Sequence, residues 1–439
     1  GSMAVAEADL TIAPGEIHAL VGESGAGKTT IGNALMGLLQ PPGRITAGSI
    51  RIGGRPVNTG TGRTEGIVPG RDVGAIFQDP MTSLNPVFTV ESQLGEAMRH
   101  HLGLSRAEAR RRSLELLRAV GIPEPERRLS AYPHQLSGGQ RQRVVIATAL
   151  SCNPRLIVAD EPTTALDVSV QAQILKLIRA LADERQVGVL LVTHNMGVVA
   201  EVADRVSIML RGRVVESGPV ARVLGAPEHP YARALIGAVP RVDIKLHRLQ
   251  TPADESPVAA EARRAVRGWL GGDRAGGALA VENLRVEYGS RAWLPGRTAR
   301  SFRAVDDVSF TVQPGESFGL VGESGCGKTT VANAIAGLVS ISAGSITLSG
   351  TRLAAGSRAG RALQMVFQDP YSALNPRLRV RTALAEPIAF YRLAATRAEA
   401  AEDAALLLEA VGLERGAGAR YPHEFSGGQR QRVAIARAL

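Results

Sequence analysis

The sequence predicts an α/β fold built twice along one chain, and three observations predict it. An apolar run from Ile17 to Val21 leads into Gly22, then four residues, then Gly27, Lys28 and Thr29. That is the G-x-x-x-x-G-K-[ST] spacing of a phosphate loop set between a strand and a helix. The ten residues Val21 to Thr30 recur as Val321 to Thr330 with one difference, Ala26 against Cys326, at an offset of 300. A repeat on that scale means duplicated domains rather than a solenoid. Third, Leu156-Ile-Val-Ala159 is a continuous apolar run ending in Asp160 and Glu161. Such a strand is buried on both faces of a parallel sheet, and its carboxyl end faces the ligand crevice.

Composition bounds the reading. A chain of 439 residues, 44% hydrophobic, has room for two or more domains with full cores. No stretch approaches the roughly eighteen apolar residues of a membrane-spanning helix. Gly1 and Ser2, ahead of Met3, read as a tag remnant and are set aside. There is no signal peptide, and the two cysteines, Cys152 and Cys326, are far apart, so a reduced, cytosolic protein is the expectation. The net charge of +10 could serve nucleic acid or a membrane surface. Of the 51 basic residues only four are lysines, and the arginines are scattered through an Ala- and Gly-rich background. Compositional bias explains that better than a nucleic-acid stripe. Two of the four lysines, Lys28 and Lys328, stand in the phosphate loops, where a compact ammonium suits a point contact to phosphate.

In the first loop the glycines let backbone N–H groups converge on a phosphate, and the helix expected from Lys28 to Leu39 adds its positive end. Lys28 is placed on the β- and γ-phosphates, and the Thr29 hydroxyl on Mg²⁺. A glycine turn that binds nothing is the bland alternative, and the strand-loop-helix context weighs against it. Residues 4–16 match 304–316, each predicting a short strand and a Pro-Gly turn, whereas the strand Leu279 to Tyr288 has no counterpart in the first half. Next come Gly48 to Ile52 and a strand from Val73 to Phe77 ending at Gln78, matched by Met365 to Phe367 and Gln368. Helices are predicted over Val90 to Leu102 and from Ser105 to Val120, where Ser105 caps and Glu108 sits three residues on. Leu114, Leu117 and Val120 face the core, with Arg110 to Arg112 solvated.

Tyr132 to Leu150 matches Tyr421 to Leu439 at 15 of 19 positions. A Ser-Gly-Gly turn opening a helix is a ready anion site. Capping alone would explain Ser137, but not Gly-Gly-Gln-Arg-Gln-Arg repeated at the same spacing. At the end of the 156–160 strand, Asp160 is placed on Mg²⁺, and Glu161 orients and polarises a water. A second apolar strand, Val187 to Val192, ends at Thr193-His194. A lone His there is usually structural; its neighbours favour a γ-phosphate contact.

Taken together these residues resemble the nucleotide-binding subunit of an ABC transporter. The specific part is Leu136-Ser-Gly-Gly-Gln140, because phosphate loops occur in many nucleotide hydrolases. The resemblance implies two tandem RecA-like P-loop ABC ATPase domains, each with an α-helical signature subdomain and an antiparallel β subdomain. It implies a first domain at 3–240, a linker at 241–278 and a second domain at 279–439. In the first domain it implies ATP binding by Gly22, Ser24, Gly25, Gly27, Lys28, Thr29 and Thr30, catalytic roles for Lys28, Gln78, Glu161 and His194, metal binding by Thr29, Gln78 and Asp160, and a D-loop at Asp167. In the second, Tyr288 matches the adenine-stacking aromatic, and Gly322, Ser324, Gly325, Gly327, Lys328, Thr329 and Thr330 the phosphate loop. Gln368 matches the Q-loop, and Thr329 and Gln368 are the metal positions there.

The family's head-to-tail pairing implies one ATP between the first loop and Ser426, Gly427, Gly428 and Gln429, and another between the second loop and Ser137, Gly138, Gly139 and Gln140. The first site has every catalytic group but no aromatic of its own. The second lacks the carboxylate pair and the histidine, because Leu439 is equivalent to Leu150. Both ends are read as truncation rather than a designed asymmetry, at an expected cost to the second domain's core. A narrower resemblance, through Pro227-Glu-His-Pro-Tyr231, is to dipeptide, oligopeptide and nickel importers. It implies an ATP- and Mg²⁺-dependent ATPase, peripheral on the inner face of the plasma membrane, working with transmembrane permease subunits and indirectly an extracytoplasmic solute-binding protein. No cysteine follows for an iron–sulfur cluster. The linker, with one candidate helix from Ala259 to Leu270, reads as a tether. Two other functions remain open: a soluble ABC-type ATPase acting on nucleic acid or ribosomes, and a catalytically impaired nucleotide-binding fragment.

Overall fold

The computed structural model describes residues 3–23, 25–57, 67–78, 83–164, 166–239, 257–270, 277–289, 301–323, 325–353, 362–368 and 373–439. Ser24 and Ser324, the Asp-Pro pairs at 79–80 and 369–370, and much of the linker lie outside them. The chain forms two units, Gly1–Ala253 and Asp254–Leu439, each described by itself.

In the first unit the strands are β1 (Ile17–Gly22), β2 (Ile50–Ile52), β3 (Arg55–Val57), β4 (Val73–Ile76), β5 (Leu156–Asp160), β6 (Gly188–Val192), β7 (Arg205–Leu210) and β8 (Arg213–Pro219). The helices are α1 (Lys28–Met36), α2 (Val90–Leu102), α3 (Arg106–Ala119), α4 (Pro125–Leu129), α5 (Gly138–Leu150), α6 (Val168–Arg185), α7 (Met196–Val202), α8 (Val220–Gly225) and α9 (Pro230–Gly237). Six strands make one sheet in the order β4-β5-β6-β1-β7-β8. The first five run parallel, and β8 returns antiparallel on the edge. β1 lies between β6 and β7 with all six residues buried, which is why its sequence is apolar without alternation. One face of the sheet packs under α2, α3, α5 and α6 through residues such as Leu94, Leu117, Ile146 and Leu175; the other packs under α1 and the β2–β3 hairpin. Leu117 and Val120 are fully buried, and Ser105 closes a capping box with Glu108 at the start of α3.

Two boundaries differ from the sequence expectation, for local reasons. Helix α1 stops at Met36 rather than Leu39, because Gly37 takes a left-handed φ of 71° and Leu38 N–H turns back to Asn33 O at 2.8 Å, a Schellman-type end. Residues 4–16 form no strand beyond an isolated bridge between Glu7 and Arg213. Their counterparts lie in a long strand, so sequence alone does not decide the matter: a strand needs a neighbour, and the second unit supplies one.

That neighbour is β9 (Leu279–Gly289), which pairs antiparallel with β10 (Ser301–Val312); β11 (Ala343–Leu348) and β12 (Thr351–Arg352) complete a sheet ordered β10-β9-β11-β12. The helices are α10 (Pro257–Leu270), α11 (Lys328–Ile335), α12 (Val380–Phe390), α13 (Arg397–Ala410) and α14 (Gly427–Ala438). Helix α10 covers the linker helix read from the sequence. It is more than a tether: Ala262 and Val266 are buried among α12, α13 and α14, and Arg263 Nε donates to Ala410 O at 2.9 Å. Residues 317–322, the counterpart of β1, are not in a strand, nor is the expected strand Met365–Phe367. In the first unit β1 and β4 are paired through β5, β6 and β7, all of which follow Leu150, the equivalent of Leu439. Without those neighbours Phe318, Leu320, Val321, Val366 and Phe367 are exposed.

Candidate active site

The first phosphate loop leaves the carboxyl end of β1 under tight steric control. A Cβ on Gly22 would sit 2.3 Å from Met209 O, and one on Gly27 would sit 2.7 Å from Ala4 O, both at positive φ. Gly25, also at positive φ, has nothing within 4 Å of a would-be Cβ. Two glycines therefore serve packing, and the third leaves backbone open toward the crevice. Lys28 is buried, and its Nζ donates to Gly22 O at 2.7 Å and Glu23 O at 2.9 Å. Burial lowers its pKa, opposed by the carboxylates of Glu161, Asp160 and Glu23.

Across the crevice, β5 delivers two carboxylates with different surroundings. The Asp160 pKa is raised by burial, opposed by a hydrogen bond from the Thr29 hydroxyl. Glu161 turns out of the strand at φ 49° while its N–H reaches Val192 O at 2.8 Å. Three side chains converge on its carboxylate: His194 Nδ1 at 2.7 Å from Oε1, Gln78 Nε2 at 3.0 Å from Oε2, and Thr164 Oγ1 at 2.9 Å from the same oxygen. The His194 contact, then Thr164, holds its pKa below the ordinary value against the opposing effect of burial; reciprocally, Glu161 raises that of His194. An ionised carboxylate with three donors is a weak proton acceptor but a firm anchor for an oriented water.

Lys28, Thr29, Gln78, Asp160, Glu161 and His194 thus stand together, with Gln78 on Glu161 rather than beside Asp160. Thr30 follows on α1, and Asp167 caps α6 by accepting from Val170 N at 2.9 Å. Ser137 caps α5 in a box with Gln140, and Ser426 caps α14 in a box with Gln429. The glycines beside them differ. A Cβ on Gly139 would lie 2.7 Å from Val170 Cγ1, whereas Gly427 and Gly428 have open space. In the second unit Lys328 Nζ donates to Gly322 O at 2.7 Å and Glu323 O at 2.6 Å, repeating the Lys28 arrangement. Tyr288 and Phe302 face each other across β9 and β10 and are both exposed; Thr329 and Gln368 are exposed as well.

Sequence reasoning missed two residues. Thr164 carries no motif signal of its own. Gln142 does, because it falls inside the repeated Gln-Arg-Gln-Arg run; fully buried, it donates to Pro162 O at 2.6 Å and ties α5 to the turn that follows Glu161.

The donors present fit a divalent cation only in partnership with phosphate. Among the described residues no group of three or more His, Cys, Asp or Glu could hold a metal. The Thr29 hydroxyl and the Asp160 carboxylate stand together instead, and Mg²⁺ is commonly held by one or two protein groups plus phosphate oxygens.

A glycine loop with its lysine, a carboxylate pair at the adjacent strand end and a histidine just past the end of the next strand define a phosphate-loop nucleotide hydrolase. The family model described as ABC transporter matches residues 5–164 and 305–439, and the one described as oligopeptide/dipeptide transporter, C-terminal region, matches 215–268. The glutathione import ATP-binding protein GsiA of Pectobacterium atrosepticum is 45% identical over 99% of this chain and 72% of its own length. The protein of the same name from Escherichia coli O157:H7 gives the same figures. A solved dimeric cassette in a post-hydrolysis state, bound to ADP and Pi, is 30% identical over 49% of this chain and 90% of its own, with a TM-score of 0.42. The chain belongs to the ABC transporter ATP-binding family, matches that family's model in two segments, and is an ATPase subunit of the kind that works with transmembrane permeases. No helix among the described residues is long and apolar enough to cross a membrane.

Proposed function

We propose that this chain hydrolyses ATP to energise import of a peptide-like solute, of the class its glutathione-importing relatives are named for. It does so from the inner face of the plasma membrane, against permease subunits fed by an extracytoplasmic solute-binding protein. The observation that carries the chemistry is the convergence of Gln78, Thr164 and His194 on Glu161, across the crevice from Lys28.

ATP supplies the transferable phosphoryl group, and Mg²⁺ offsets its charge. Lys28 exchanges the carbonyls of residues 22 and 23 for phosphate oxygens, and the backbone around Gly25 and Gly27 cradles them together with Ser24. Thr29 and Asp160 would hold the cation, and Gln78, now on Glu161, would turn toward it. Glu161 orients the water, and His194 reaches the γ-phosphate from the Glu161 carboxylate. The signature residues Ser426, Gly427, Gly428 and Gln429 complete the first site head to tail. Tyr288, Gly322, Ser324, Gly325, Gly327, Lys328, Thr329, Thr330 and Gln368, with Ser137, Gly138, Gly139 and Gln140, make the second site. Two cysteines in all are too few for a four-cysteine iron–sulfur cluster.

Glu161→Gln keeps the shape and the hydrogen bonds to Gln78 and Thr164 but removes the charge. Phosphate release is expected to fall by about 10² or more, the scale on which losing a positioned acid–base group acts, with ATP binding retained. Unchanged turnover would place the chemistry elsewhere. ATP-driven uptake of glutathione against simple dipeptides, measured with the permease partners in vesicles, tests the cargo.

A further inference from the structure

The segment after the sheet, which the hydrolysis chemistry leaves unused, touches the phosphate loop. Glu216 on β8 is buried, and its carboxylate accepts from Glu228 N at 3.1 Å and His229 N at 2.9 Å. His229 in turn caps α9, its Nδ1 accepting from Tyr231 N at 3.1 Å. The Tyr231 ring packs against the apolar cluster formed by Ala19 and Val21 of β1 with Met196, Val199 and Ile208. Its hydroxyl accepts from Glu23 N at 3.2 Å, across 208 residues of sequence.

The peptide unit between Gly22 and Glu23 is therefore held on both sides. Its carbonyl, Gly22 O, accepts from Lys28 Nζ at 2.7 Å, and its N–H, on Glu23, donates to Tyr231. When Lys28 turns to a phosphate the carbonyl loses that partner, and the tyrosine hydroxyl still fixes the plane from which the loop departs. The Glu216–His229–Tyr231 chain gives that hydroxyl a rigid mount, because every link is a hydrogen bond to backbone or a packed ring. Tyr231 touches neither of the hydrolytic groups Glu161 and His194. Its effect must therefore fall on nucleotide binding rather than on the chemical step.

We propose that Tyr231 is a positioning residue of the first nucleotide site, through which the extension after β8 sets the geometry of the phosphate loop and so its affinity for nucleoside triphosphate. The proposal deepens the functional reading above and rests on it.

The test is Tyr231→Phe in the full chain, made in a Lys328→Ala background so that only the first loop reports. It uses fluorescent mant-ATP for binding, phosphate release for turnover and thermal melting without nucleotide. Phe keeps the packed ring and removes only the acceptor oxygen. Expected are an about three- to tenfold weaker Kd, the scale on which one net hydrogen bond acts, a matching rise in KM, an unchanged kcat and an unchanged nucleotide-free melting temperature. An unchanged Kd overturns the proposal. So does a Kd that weakens together with a lowered nucleotide-free melting temperature, since the hydroxyl would then serve the fold alone. Lys28→Ala in the same background separates the two levels. If it binds mant-ATP as tightly as its parent, the nucleotide site itself is misassigned; if it loses binding while Tyr231→Phe does not, only the role of Tyr231 fails.

Discussion

At the scale of single residues, the site turns on how Glu161 and His194 share charge. Glu161 is held below its ordinary 4.5 and His194 above its ordinary 6.5, each chiefly by the other. The sign follows from linkage. The histidine's contribution to folded stability is present below 6.5 and lost as pH rises through its elevated value. The carboxylate's is present above 4.5 and lost as pH falls through its depressed value. Both are in force between 4.5 and 6.5, so the ionic part of the pair is fully present in mildly acidic solution and is lost toward alkaline pH. Glu161→Gln removes the charge that raises His194 and leaves burial and the Lys28 charge to lower it. Its ring signals in an NMR titration should move from a midpoint above 6.5 to one below it, and a midpoint that stays put would mean that the contact does not govern the histidine.

At the scale of elements, the two signature helices begin with the same residues and carry different constraints. Ser137 and Ser426 make the same capping box, so the cap is local chemistry, legible in the sequence as Ser followed three residues on by Gln. Gly139 is also clamped by Val170 of α6, whereas Gly428 has open space where a side chain would go. Gly428→Leu should therefore fold as the parent does and still impair hydrolysis at the first loop, if the signature closes on that site. Gly139→Leu should lower the melting temperature as well, since a Cβ there meets Val170 at 2.7 Å. An unaffected ATPase rate in Gly428→Leu would sink the head-to-tail arrangement. The same contrast marks what could be read beforehand. Lys28, Asp160, Glu161 and His194 were legible because each sits at a fixed offset from a strand end, a periodic and local signal. Thr164 and the Tyr231 hydroxyl were not, because their meaning arises only when segments distant in sequence are folded together, and no spacing rule reports a contact of that kind.

At the scale of the whole molecule, the units show one sequence pattern in two environments. Leu20 on β1 is wholly buried between β6 and β7, while Leu320, at the same place in the repeat, is 41% exposed. Leu20→Ala should cost about 2–5 kcal/mol, the range for deleting a buried leucine side chain. Leu320→Ala should stay within roughly 0.5 kcal/mol, as surface changes do. Thermal melting of the two variants beside the parent checks the pair, and equal losses would mean that the second segment is packed after all. The sequence motif calls for a strand at both places, but the fold honours it only where parallel neighbours stand on either side. That has a practical meaning for the residues around Val321. Phe318, Leu320 and Val321 are exposed there, so an apolar dye finds a foothold beside the second loop that the buried first copy does not offer.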